Sequence, residues 1–212
     1  MAEKMDPDPD QLRFETEWSW YVHFPCASTN YGNSYACVGS FSTIADFWRL
    51  YNNMPPITEI YNGTIRIKQN AVIAYSLFRG GIKPEWEDPV NLIGSEWGCR
   101  ETIDCEKFSV LWTELVLGAI GEHIPHCVGI RAINKSNRQR NMQKIEVWMN
   151  KIDTPSVQEC RRSLSKIDPS APRFTLMPHQ EKQTQAFEYQ RRRRKYANGT
   201  LSTHEADGED IY

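Results

Sequence analysis

Much that would assign a chemistry at once is missing from this 212-residue chain. There is no Cys-x-x-Cys pair, no His/Cys cluster at metal-ligand spacing, no Gly-x-Gly-x-x-Gly loop and no Glu-rich helical metal box, so no metal, cofactor or catalytic residue is expected. No apolar run reaches the ~18–20 residues that span a bilayer, and the acidic, polar Met1–Asp10 is no secretory signal, so no membrane association is expected. Neither sign of charge dominates: the net charge is −2 and the sequence pI about 6.2. With 40% hydrophobic and 25% charged residues, the composition is that of one ordinary globular domain, expected in the cytoplasm or also in the nucleus. Cys26, Cys37, Cys99, Cys105, Cys127 and Cys160 lie in segments that read as core, which predicts buried thiols rather than disulfides.

Both ends read as peripheral. Residues 1–14 carry Asp6-Pro7-Asp8-Pro9-Asp10 without apolar periodicity and are expected to form a mobile arm, and residues 181–212 turn polar and charged, as a C-terminal loop and tail. The domain is placed at 15–180. In it, Phe108, Leu111, Trp112, Leu115 and Ala119 make a helical stripe between a capping Asp104 and a stop at Gly121. Ser42 precedes a second helix through Ile44, Phe47, Trp48 and Tyr51, and Thr154-Pro155 opens a third through Val157, Cys160 and Leu164. Short β-rich runs at 18–24, 35–38, 64–67, 72–78, 128–133, 144–149 and 173–177 read as strands. The pattern predicts an α+β fold: an antiparallel sheet covered by helices on one face, with the other face free for a ligand.

Trp86 and Glu87 stand together in Lys83-Pro84-Glu85-Trp86-Glu87-Asp88-Pro89. An indole face attracts a cationic ring stacked upon it, and a carboxylate accepts two parallel N–H bonds from the edge of such a ring. Guanine methylated at N7 has both properties. The plainer alternative is a loop Trp covering apolar surface beside a solvated acid.

Three stretches resemble the eukaryotic translation initiation factor 4E family, which binds the mRNA 5′ cap: residues 41–52 (FSTIADFWRLYN), residues 75–88 (YSLFRGGIKPEWED), and Leu111-Trp112-Thr113-Glu114-Leu115 with Ala119-Ile120-Gly121-Glu122. The resemblance implies a curved antiparallel sheet of about eight strands with three helices on its convex face. It also implies roles. Trp86 matches one wall of an aromatic sandwich, Glu87 the carboxylate that reads the guanine edge, and Trp148 the indole beside the N7 methyl. Arg131 and Lys144 match the cations that hold the phosphate bridge, and charge-assisted hydrogen bonds to three linked phosphates suit them. Ile44, Trp48, Glu114 and Leu117 match the surface that takes a helical peptide with Tyr and Leu anchors. The implied partners are capped mRNA and either a 4G-type scaffold factor or a 4E-binding or 4E-interacting protein, with the chain a monomer in that complex. Initiation of translation is the implied role; repression or storage is the alternative.

The chain also departs from the family. The second sandwich wall is usually a Trp seventeen residues before the Trp of the first helix, a count that lands here on Tyr31, with Tyr35 four residues on. Tyr31 is the expected wall and Tyr35 a packing residue. Leu12-Arg13-Phe14 stands where a His-Pro motif is usual, which points to a kinetoplastid-like lineage with further methylated caps. Asn134–Met142, with Lys135, Arg138 and Arg140, is a longer loop than the family's, and Arg191–Lys195 reads as a basic tail or as a contact to later nucleotides.

Overall fold

The computed structural model describes residues 12–25, 32, 34–167 and 174–197. In chain order its elements are β1 (Arg13–His23), β2 (Tyr35–Thr43), α1 (Ile44–Asn53), α2 (Ile57–Asn62), β3 (Arg66–Ile67), β4 (Asn70–Ala71), β5 (Ala74–Arg79) and α3 (Pro89–Leu92). There follow β6 (Ser95–Glu101), α4 (Cys105–Ile120), β7 (Cys127–Asn134), β8 (Gln143–Met149), α5 (Thr154–Ile167), β9 (Thr175–Pro178) and α6 (His179–Ala197). Seven strands form one curved antiparallel sheet in the order β2-β1-β5-β7-β8-β6-β9. The pair β3-β4 stands apart as a small hairpin, so the expected eight or so strands resolve into seven and two.

The two-residue period of extended chain divides the sheet between two clusters. Trp18, Trp20 and Val22 of β1, Tyr75 and Leu77 of β5, and Ile145, Val147 and Met149 of β8 pack towards the helices. There they meet Phe47 of α1, Ile57 and Ile60 of α2, Leu111, Trp112 and Leu115 of α4, and Cys160 and Leu164 of α5. Tyr21, Phe78, Val128 and Trp148 form a smaller cluster on the opposite face, with Tyr35, Ile82 and Trp86 packed against it. Gly129 lets these rings close up, because a Cβ there would run into the Phe78 ring.

Helix α4 starts and stops where its stripe and caps predict, with Asp104 accepting from Lys107 N at 2.8 Å. Two other caps shift by one residue. Thr43, not Ser42, caps α1 by accepting from Asp46 N at 3.1 Å, since its hydroxyl is the one in reach of the third helical amide. Asp153, not Thr154, accepts from Ser156 N at 3.1 Å at the start of α5. Strand β6 was not anticipated, because Glu96, Gly98, Arg100 and Glu101 hide its alternation. The expected polar loop after residue 180 is helical to Ala197, while the arm before residue 12 lies outside the described residues. Among the described cysteines, Cys99, Cys127 and Cys160 are buried free thiols, but Cys37 is exposed.

Candidate functional site

On the face away from α1, α2, α4 and α5, strand alternation alone aligns Lys144, Glu146 and Trp148 of β8. Register then brings in their neighbours: Glu146 lies opposite Arg131 of β7 and Gly98 of β6, and Trp148 opposite Gly129 and Glu96. Glu146 is the hub. Its Oε2 accepts from Trp148 Nε1 at 3.0 Å and meets Arg131 Nε at 3.3 Å, while its Oε1 accepts from Lys144 Nζ at 2.5 Å. Lys144 also donates to Glu96 Oε1 at 3.3 Å. Gly98 keeps this corner open, for a Cβ there would stand 3.3 Å from Glu96 Oε1.

Burial opposes ionisation of Glu146, but Arg131, Lys144 and Lys182 outweigh it and hold its carboxyl well below the ordinary range. Lys144 is likewise raised: burial works against its charge, and Glu146 and Glu96 overcome it. Lys135, at the start of the long loop after β7, is pushed down to about 8 by burial and by Arg131, with Lys144 and Arg100 adding to the effect.

The Trp86 loop is pinned from below. Asn91, fully buried, donates through Nδ2 to Lys83 O at 2.8 Å and to Glu85 O at 2.9 Å. Asp88 accepts from Lys83 N and, as the cap of α3, from Val90 N, both at 3.0 Å. The loop thereby holds Trp86 half-buried and Glu87 exposed. Tyr35 reaches the same loop from β2, donating to Glu85 Oε2 at 3.2 Å, with its ring edge-on to Tyr21 at 5.7 Å.

Helix α6 closes over this face. His179 N donates to Gly94 O at 3.0 Å, its Nδ1 pairs with Asn91 O at 2.7 Å, and its ring lies 4.5 Å from that of Trp148. Lys182 donates to Glu96 Oε1 and stands 5.7 Å over the Trp86 ring, and Gln183 Nε2 donates to Trp86 O at 3.2 Å.

The structure therefore assembles Trp86, Trp148, Arg131 and Lys144 on one face, with Glu87 at its rim. Trp148 is 1% exposed beneath His179 and so is an inner wall, not an open surface. Tyr31 lies outside the described residues. Reasoning from sequence missed Glu96, Glu146, His179 and Lys182; the alternation of Lys144, Glu146 and Trp148 was the available signal for Glu146.

The residues expected to take a peptide lie on the helical side. Trp48 of α1 is 41% exposed and Leu117 of α4 36%; Glu114 is also exposed and Ile44 half-buried. Tyr51 and Thr113, hydrogen-bonded at 3.1 Å, tie the two helices together.

Comparison with known proteins converges on one family. The family model described as Eukaryotic initiation factor 4E matches residues 13–200. Eukaryotic translation initiation factor 4E-1 of Prunus domestica is 30% identical over 148 residues, 66% of this chain and 58% of that protein. Its namesake in Arabidopsis thaliana is 28% identical over 155 residues, 71% and 60% of the two chains. The chain thus spans less than two thirds of the length of these relatives. Among solved structures, C. elegans eIF4E-3, in complex with the 4E-binding protein Mextli and a cap analog, aligns with a TM-score of 0.65 at 20% identity, covering 82% of this chain and 95% of that one. A schistosome eIF4E complexed with m7GpppA and 4E-BP aligns at 0.66 and 19% identity, covering 93% and 95%. At such identities the structural likeness speaks for the fold.

Proposed function

Because the chain belongs to the eukaryotic initiation factor 4E family, we propose that it binds the 7-methylguanosine 5′ cap of mRNA and, through its helical face, recruits a scaffold protein for translation initiation. The observation that carries this reading is the pinned loop that presents Trp86 and Glu87 on the face that also bears Arg131 and Lys144, with Lys182 5.7 Å over the Trp86 ring. An indole for a cationic base, a carboxylate for the guanine N–H edge, and buried-edge cations for linked phosphates match the three chemical parts of a cap. Tyr31 or Tyr35 supplies the second wall, and Trp148 backs the methyl side. The chain acts by binding and not as an enzyme, and its place of action is the cytoplasm.

The cap-binding domain is taken as residues 15–180, with the first turns of α6 belonging to the same site. Repression is the second reading: both structural neighbours were solved with a 4E-binding protein, and the exposed Trp48 would serve such a partner as well as a scaffold.

Titration with N7-methylguanosine triphosphate and with GTP tests the reading directly. Methylation adds the positive charge that stacking recognises, so the methylated ligand is expected to bind at least about tenfold more tightly, the equivalent of ~1.4 kcal/mol. Equal affinity for the two would remove it.

A further inference from the structure

Resting on the cap-binding reading, we propose that the loop joining β7 to β8 is a second RNA site, where Lys135, Arg138 and Arg140, with Arg100 of β6, take the phosphodiester backbone of the nucleotides that follow the cap. Strand β8 sets the direction. Trp148, proposed for the base, Glu146, and Lys144, proposed for the phosphates, succeed one another along one face of this strand, and its first and last members are about 13 Å apart. A capped transcript has the same order: base, linked phosphates, then chain. The next alternate position beyond Lys144 is Met142, where β8 gives way to the loop. Arg100 lies opposite Lys144 and donates through Nε to Met142 Sδ at 2.7 Å.

The loop is ordered by its own hydrogen bonds. Lys135 N donates to Met142 O at 2.9 Å and closes its base, and Asn137 N donates to Arg140 O at 3.0 Å. Asn137 Oδ1 accepts from Gln139 N and from Arg140 N, both at 2.9 Å, as an Asx turn. Asn141 Nδ2 donates to Tyr61 OH at 2.8 Å and ties the loop to α2. Arg138 and Arg140 stand exposed on this fixed turn. Gathering like charges costs the free protein stability, because they repel. Burial, Arg131, Lys144 and Arg100 depress Lys135 to about 8 against the pull of Glu146. A polyanion offsets that cost, and an RNA backbone running on from the cap phosphates is one whose recognition is independent of sequence.

The test titrates the full chain with N7-methylguanosine triphosphate and with short unstructured RNAs carrying the same cap, at low and moderate salt. Capped RNA is expected to bind about tenfold more tightly than the cap nucleotide, with a steeper salt dependence and alike for different sequences. Arg138→Ala/Arg140→Ala should remove most of that gain and of the added salt dependence, with cap-nucleotide affinity unchanged within about twofold. Its melt should match wild type, because both side chains lie in water and the backbone bonds of the turn survive. Arg138→Lys/Arg140→Lys keeps the charge and should keep most of the gain. Equal binding of capped RNA and cap nucleotide by the wild-type chain, or a gain undiminished in the Ala variant, would overturn the proposal. So would a gain lost only when Arg191–Lys195 are replaced, which would lay the transcript along α6 instead. A wild-type chain that fails to prefer methylated over unmethylated triphosphate sinks the cap reading alone, since the loop is still read from the same RNA with an unmethylated 5′ triphosphate against GTP.

Discussion

Trp148 donates from its indole Nε1 to Glu146 Oε2 at 3.0 Å, so the ring at the centre of the ligand face is aimed by the carboxylate that also meets Arg131. The residues proposed for the base side and for the phosphate side therefore share one anchor. Trp148→Phe keeps a ring against Phe78 and His179 but deletes the donor. It is expected to destabilise the fold by about 1–3 kcal/mol, from the unmade hydrogen bond to a buried charge and the lost volume. Weaker triphosphate binding should accompany this, because the Glu146 oxygen that meets Arg131 loses the indole donor that helps to aim it. A denaturant melt with parallel titrations checks both, and a binding loss without a stability loss would contradict the shared-anchor account.

Trp86 and Glu87 should separate stacking from edge reading. Trp86→Ala is expected to cost about 1–3 kcal/mol of binding through lost stacking. Some stability should go too, since the indole is half-buried against the Tyr21–Phe78–Val128–Trp148 cluster. Glu87, exposed at the rim, is a cleaner probe: Glu87→Gln should lower cap affinity by about 1–3 kcal/mol with an unchanged melt and salt slope. Arg131→Ala should instead flatten that slope. Tyr31→Ala against Tyr35→Ala, measured by the same titration, identifies the second wall. A Glu87→Gln protein that binds as wild type would exclude edge reading by this residue.

What the sequence made legible follows from how each element is stabilised. Helix α4 was readable because its stripe, Phe108 to Ala119, is the same set of residues that fills the core. Strand β6 was not, because its outward residues are Glu96, Gly98 and Arg100, chosen by partners on β8 and not by solvent or core. Helix α6 lacks an apolar stripe for a related reason: its first turns dock through His179, Lys182 and Gln183, polar contacts that periodicity does not register. The family resemblance marked Lys144 and Arg131 as cations for phosphate. That Glu146 lies between them became visible only with the register of β7 against β8.

Acid should weaken the fold through two buried imidazoles. Burial, aided by Arg131, holds His23 well below its ordinary 6.5, and burial lowers His179 against the pull of Asn91 O and Glu96. A depressed folded pKa means that the unfolded chain takes up the proton first. The stability tied to neutral His23 and His179 is thus fully present above pH 6.5 and is lost as the pH falls below it towards their folded values. Glu146 acts in the same direction lower down, below the ordinary 4.5. Melting temperatures should drop from pH 7.5 to pH 5.5, and His23→Gln, whose amide still reaches Ser76, should show a shallower drop. Parallel profiles for the two proteins would show that His23 carries none of the effect.

Partner capture and cap binding should prove separable, because the residues proposed for them lie on opposite faces of the sheet. On α1, Phe47 is 1% exposed and fills the core, whereas its neighbour Trp48 is 41% exposed and rests on Phe47 and Tyr51 by ring edges. Leu12 and Leu117, 37% and 36% exposed, add apolar surface on the same helical side, where Leu12 O accepts from Ile44 N at 3.0 Å. Such anchors suit a helical peptide with Tyr and Leu side chains. Trp48→Ala is therefore expected to abolish retention of a 4G-type or 4E-binding peptide while leaving cap-resin binding within a few fold. The stability change should stay near ~1 kcal/mol, since much of the ring already faces water. Were Trp48 a core residue, the same variant would lose ~3–5 kcal/mol and both binding activities together; one melt beside two pulldowns distinguishes these results.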